Sequence, residues 1–401
     1  MKPYTAHSTG ISDRWTHVVL AVQGFLGPLL LATALSIPSI AMAQTSGSPA
    51  SGSDVAAETG LPSIQLLWSR LGDLNGQDGA VESAEFSPDG RFIVSGSKYD
   101  NRVMVWRVDD GSKVWEREAD GEVERAAWSP DGKYIVSTGE DETLRLWRAT
   151  DGKPLATILL NAGVDGMAFS PDGKILVTGK EEVVKGKGGV VQAWAMPNLK
   201  LLRSTTVTGT VNSITFTRDG QLVLTGGAPN HVHVLRVADL SLVRSLVGVP
   251  DQTVSSVRED SGLVAASAKG GYVCVWQLAD GKKVAQFNHT NLKVEAVEWT
   301  NDGQFLLVAG KDPHIRIVRR ADLGLNNVPA VFVAPKTGPV EYLDFSPNGG
   351  SLVSCGEDGT VRLWLWELDV DKGQHKELMK RQKAASEKRQ AERAAKGVKS
   401  L

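Results

Sequence analysis

The stretch "FSPDGRFIVSG" (residues 86–96) decides how this chain is read, because it returns three times in close copy. The copies are "WSPDGKYIVST" (residues 128–138), "FSPDGKILVTG" (residues 169–179) and "FSPNGGSLVSC" (residues 345–355). Each places a hydroxyl residue, Pro, Asp or Asn, and Gly between two apolar runs. Pro presets the backbone angle of a turn, the Asx side chain bonds neighbouring amides, and Gly accepts positive φ. The word therefore predicts a hairpin turn rather than a catalytic motif. Worn copies at "TRDG" (217–220), "EDSG" (259–262) and "TNDG" (300–303) fit a turn, since they keep the Gly and an acidic residue while losing Pro.

Working outward, units open at Val81, Val123, Val164, Val211, Val254, Val294 and Val340, spaced 40 to 47 residues apart. A period of this length signals a propeller or solenoid. Within residues 123–158 four short apolar runs alternate with the turn clusters "SPDG", "GEDET" and "ATDGK", and nothing has helical periodicity. Four strands per unit make a blade. The third run ends in Trp106, Trp147, Trp194, Trp276 and Trp364, with Leu235 and Val318 in the other two units, a placement expected of rings packed between neighbouring sheets.

The words "GEDGTVRLW" (356–364) and "GEDETLRLW" (139–147), each downstream of "SPNG" or "SPDG", resemble the WD-repeat (Trp-Asp repeat) β-propeller family. The resemblance covers residues 61–368. It implies an all-β, seven-bladed propeller of four-stranded antiparallel blades, closed by an N-terminal strand that completes the last blade. The sequence agrees, since residues 340–366 supply only three strands while "IQLLWSRLG" (64–72) precedes the first unit. The chain departs from the family in lacking the Trp-Asp dipeptide and the Gly-His pair. The family's Asp-His-Ser/Thr-Trp network is thus not expected to be complete in any blade.

Outside the ring, Arg14 precedes an apolar run over residues 18–37 and then Ala41-Met42-Ala43, the pattern of a signal peptide cleaved between Ala43 and Gln44. This predicts an exported protein, periplasmic or secreted. Residues 44–60 read as a flexible linker and residues 369–401 as a basic tail, helical or disordered. Residues 372–401 carry ten Lys or Arg against three Glu, whereas residues 44–371 hold ten more acidic than basic side chains. An acidic body is a poor match for nucleic acid, which needs a basic face. The tail's charge offers contact with an anionic surface, and so an alternative function as a cell-envelope tether. Cys274 and Cys355 lie in different repeats and are expected as buried free thiols.

The chain has no G-x-S-x-G elbow and no phosphate-binding G-x-x-x-x-G-K-[ST], and the Gly-rich stretch 180–189 lacks a strand-to-helix context. His231 and His233 share one face of a strand, but no third metal ligand accompanies them, so they read as blade-surface histidines. No catalytic residue, metal or cofactor is expected. Immediately after each opening Val stand Glu82, Glu124, Asp165, Asn212, Ser255, Glu295 and Glu341. Repetition puts them in a ring at one channel mouth, and five acids there invite a cation or basic ligand. The resemblance implies that this face contacts peptides, and that the loops between second and third strands add Tyr99, Glu140, Lys187, Lys269, Lys311 and Glu357 to it. Acidic positions on blades seven, one and two would then oppose lysines on blades three, five and six. The expected role is a monomeric, non-catalytic scaffold for proteins or peptides; the alternative is an enzyme or metal-dependent binder using the acidic mouth, as in lactonase or quinoprotein propellers.

Overall fold

The computed structural model describes residues 62–71, 79–180, 188–227, 231–249, 254–288, 291–324, 331–333 and 339–367. The expected signal peptide, linker and basic tail, Lys187 and most of the loop around it lie outside the described residues. Within them the strands form seven antiparallel sheets of four strands. The inner strands are Val81–Phe86, Val123–Trp128, Val164–Phe169, Ser213–Phe216, Val254–Asp260, Val294–Trp299 and Val340–Phe345. Each touches the next around the ring, and the last touches the first. Six begin at the expected Val; in the fourth blade the strand starts two residues after Val211.

The repeated word folds as a hairpin turn. In the first copy Ser87 Oγ donates to Asp89 Oδ1 at 2.6 Å and accepts from Phe92 N at 3.0 Å. Asp89 Oδ1 accepts from Arg91 N at 3.1 Å, and Gly90 takes φ 69°. The same hydroxyl-to-Asx bond recurs at Ser129, Ser170, Thr217, Thr300 and Ser346. In "TRDG" and "TNDG" the hydroxyl and the carboxylate therefore survive the loss of Pro, because they satisfy turn amides that the ladder leaves open; in "EDSG" Glu259 takes the hydroxyl's place and accepts from Gly262 N at 2.8 Å.

Ring closure follows the expected course. Ser63–Leu71 pairs antiparallel with Thr360–Glu367, giving the last blade its fourth strand. The closing strand also grips the first blade: Trp68 Nε1 donates to Val108 O at 2.8 Å and Arg70 Nε to Gly111 O at 2.9 Å. One blade further on the device repeats, with Trp115 Nε1 on Ala149 O at 2.9 Å and Arg117 Nε on Gly152 O at 3.1 Å. A Trp-x-Arg outer strand thus latches the next blade by burying an indole and satisfying turn carbonyls.

The third-strand tryptophans are buried between blades, none more than 5% exposed. The family's polar network survives only in part. Trp106, Trp147, Trp194 and Trp364 donate their indole N–H to Ser95, Ser137, Thr178 and Ser354 at 2.8 to 3.0 Å. Trp276 instead donates to the Val247 carbonyl at 2.9 Å. Cys274 and Cys355 are free and buried, as expected. The two histidines differ from expectation: Nε2 atoms of His231 and His233 lie 3.1 Å apart, but His233 is only 5% exposed and bonds Ser245, so it is a packed residue rather than a surface one.

Candidate functional site

The channel mouth is built by a recurring backbone irregularity. In six of seven blades the register between inner and second strands shifts directly after the opening Val, as at Val81/Ser83 and Val123/Arg125. The residue inside the shift is Glu82, Glu124, Asp165, Ser255, Glu295 or Glu341. A bulge leaves one residue unpaired and re-aims its side chain. Close approach comes with it: a Cβ added at Gly139 would meet Glu122 O at 1.8 Å, and one at Gly356 would meet Pro339 O at 1.8 Å. The Gly that opens "GEDET" and "GEDGT" is therefore required by the bulge beside it.

The acids do not stand alone. Lys98 Nζ lies 3.2 Å from Glu124, 3.6 Å from Glu82 and 3.7 Å from Glu122. Lys311 Nζ lies 2.8 Å from Glu341 and 3.6 Å from Glu295, and also pairs with Glu357. Lys293 adds a 2.7 Å contact to Glu295. Lys311 therefore sits among the acids of blades six and seven instead of facing them across the mouth. Its long side chain reaches into the next blade, which repeat phase alone does not reveal. Lys98, missed in the sequence, does the same between blades one and two.

Six carboxylates on blades six, seven, one and two thus share three lysines. Burial, followed by the charges of Glu124 and Glu341, pushes the Glu82 carboxyl up to about 8. Glu341 is also raised, by burial and then by Glu295. Elsewhere on this face Tyr99 and Glu140 are exposed, and Asp165 and Asn212 are half-buried. Lys269 lies in a 3-10 turn, Lys269–Gly271; the side chains of Lys269 and Ser255 are outside the described residues.

The raised Glu82 has a thermodynamic sign. In the unfolded chain this carboxyl ionises near its ordinary 4.5, and in the fold near 8, so between those values the folded state holds an extra proton. Stability is fully present below the lower value and is lost as pH rises through the higher one. Glu82→Gln, neutral at every pH, is expected to stabilise the protein by about 1–3 kcal/mol above pH 8 and by almost nothing near about pH 5. Thermal melts across that interval check this; an equal effect at both ends would refute it.

Below the mouth lies a half-buried polar group absent from the sequence reading. The Tyr342 ring is flanked by the guanidinium carbons of Arg125 at 4.6 Å and Arg258 at 5.3 Å. Arg258 Nε pairs with Glu298 at 2.6 Å, and Arg125 Nε donates to the Asp165 carbonyl at 2.9 Å. Glu85 Oε1 accepts from Trp128 N at 3.0 Å, and Asp344 Oδ2 from Phe86 N at 2.8 Å. Burial pushes Glu85 up to about 7, Tyr342 up to about 12, and Asp344 well above the usual carboxylate range.

These polar side chains have a structural cause. An inner strand is the channel-side edge of its blade, so part of its backbone N–H row has no ladder partner. The preceding blade supplies the acceptor: besides Glu85 and Asp344, Ser83 accepts from Ala126 N, Ser213 from Val257 N and Ser256 from Val297 N, at 3.0 to 3.5 Å. The signal was present in the sequence as a polar residue two or four places after six of the seven opening Val residues, Val164 being the exception. Among the described residues no three His, Cys, Asp or Glu side chains gather so as to hold a metal ion.

A closed ring of seven four-stranded blades, joined by SPDG-type turns and indole-to-hydroxyl bonds, defines the class as a WD-type propeller. Residues 68–107, 199–234 and 328–364 match the WD domain, G-beta repeat family, and residues 97–163 and 256–324 match the anaphase-promoting complex subunit 4 WD40 domain. The chain belongs to the WD-repeat propeller family. Among curated proteins it is similar to the protein transport protein SEC31 of Chaetomium globosum, with 25% identity over 189 residues, 44% of this chain and 15% of that protein. It is also similar to an uncharacterized WD repeat-containing protein of Synechocystis sp., with 26% identity over 167 residues, 41% of this chain and 47% of that protein. The matched segment spans less than half the length of either relative.

Proposed function

We propose that this propeller is a non-catalytic interaction scaffold of an exported compartment, and that its channel mouth receives a basic segment of a partner protein. One observation carries the reading: six carboxylates spread over four consecutive blades share three lysines, and Glu82 keeps a proton that a partner's cation can replace. Bulges fix four of these side chains, Glu82, Glu124, Glu295 and Glu341, at the rim, so little ordering is required when a ligand arrives. Family membership supports a role in binding proteins. Export rests on the apolar run of residues 18–37 and the Ala41-Met42-Ala43 site after it.

The test is affinity capture from a native extract with the wild-type protein and with a Glu82→Gln/Glu341→Gln variant. The variant is expected to lose the captured partners whose binding segments are rich in Lys and Arg, and wild-type capture is expected to weaken as salt rises. Capture of the same set by both proteins would remove the mouth as the binding surface.

A further inference from the structure

The opposite end of the ring, between the first two blades, carries a surface of a different kind. A cleft of about 570 Å³ opens there, within the size range of ligand sites. One wall is formed by Phe92, Arg107 and Val114, which belong to the second, third and fourth strands of blade one. Trp128 and Pro130 of blade two form the facing wall. The Phe92 and Trp128 rings are stacked with centroids 6.3 Å apart. The Trp128 indole N–H is buried and has no acceptor.

The cleft carries one unpaired charge. Arg148, Arg236 and Arg319 of blades two, four and six stand at the place Arg107 occupies in blade one; Arg148 and Arg319 pair with the aspartate three residues on, Asp151 at 3.1 Å and Asp322 at 2.9 Å, and Arg236 makes no such pair with Asp239. Arg107 forms no ion pair with the corresponding Asp110. It lies exposed over the Phe92 ring instead, 5.8 Å from the centroid. Among the described residues no carboxylate pairs with it. Arg91, the other guanidinium over this ring, is neutralised by Asp89 at 2.7 Å, and Asp131 by Lys133 at 3.1 Å. The cleft therefore presents apolar walls and one uncompensated cation.

The geometry points to an extended acidic-apolar peptide segment as the occupant: one or two large apolar side chains against Phe92, Val114 and Pro130, with a neighbouring carboxylate on Arg107. Three strands at the usual spacing make the wall about 10 Å across, the length of about three extended residues. A guanidinium held over an aromatic face keeps its edge free for a bidentate carboxylate. This site is independent of the mouth. It has the opposite charge preference and shares no residue with it.

The test is selection of phage-displayed random heptapeptides on the full-length protein, followed by affinity measurement on the most enriched synthetic peptide. Enriched sequences are expected to carry Asp or Glu within two places of Leu, Phe or Trp. Affinity should fall about tenfold or more with Arg107→Gln, with Val114→Glu, and with the peptide's own carboxylate changed to its amide. Glu82→Gln should leave it unchanged. Arg107 and Val114 are exposed, so both variants should melt like the wild type, and Arg107→Lys should restore part of the affinity. Enrichment without acidic-apolar pairs, equal binding to Arg107→Gln, or loss of binding on Glu82→Gln would overturn the assignment.

Discussion

Arg258→Met is expected to lower the unfolding free energy by about 3–5 kcal/mol, measured by urea denaturation near neutral pH. Arg258 pairs with Glu298 at 2.6 Å, flanks Tyr342 and acts at a distance on Glu85 and Asp344. Removing it leaves Glu298 a buried acid without its cation, beside two further acids whose burial already resists ionisation. The penalty is that of an orphaned charge rather than of a lost contact. It follows that Arg258→Met combined with Glu298→Leu should be more stable than Arg258→Met alone, because the pair is then removed together. A single variant within about 1 kcal/mol of wild type, or a double variant worse than the single, would show that the channel cluster does not bind the blades together.

Deleting residues 61–71 should have a larger effect still. That segment contains the fourth strand of the last blade, whose loss bares the edge of Thr360–Glu367 and uncovers the face that Trp68 closes at 8% exposure. The latch onto Val108 and Gly111 of the first blade goes with it. An open ring with a long unpaired edge is a template for pairing with other molecules. The expected result is a collapse of the thermal midpoint together with aggregation seen by light scattering. A melting curve superimposable on that of the intact chain would mean that closure does not depend on this strand.

What could be read in the sequence was what recurs locally. The Ser-Pro-Asp-Gly turns, the four runs per unit and the third-strand Trp residues are each specified within a few residues, and the closing strand follows from a missing fourth run after Trp364. The channel group was not legible in that way. Glu85, Arg125, Arg258, Glu298, Tyr342 and Asp344 are spread over five repeats, with different identities at related positions, and only ring closure brings them together. The same limit applied to the mouth. Repetition identified Glu82, Glu124, Glu295 and Glu341, but the reach of Lys98 and Lys311 into neighbouring blades depends on long side chains that no repeat phase constrains. Arg107 shows the reverse case: Arg148 and Arg319 would predict a pair with Asp110 that the structure does not make, just as Arg236 makes none with Asp239.

The bulge that follows the opening Val in six blades separates two jobs that a regular strand would force on the same residue. Because the extra position takes no part in the ladder, its side chain can be rewritten without altering the hydrogen bonds that hold the blade. The rim is in effect a row of independently replaceable letters on a fixed frame. The mixture of Glu, Asp and Ser already found at the bulges, on blades otherwise built alike, is what such freedom allows. Ligand preference at this mouth could thus diverge, or be redesigned, one blade at a time while the ring stays the same.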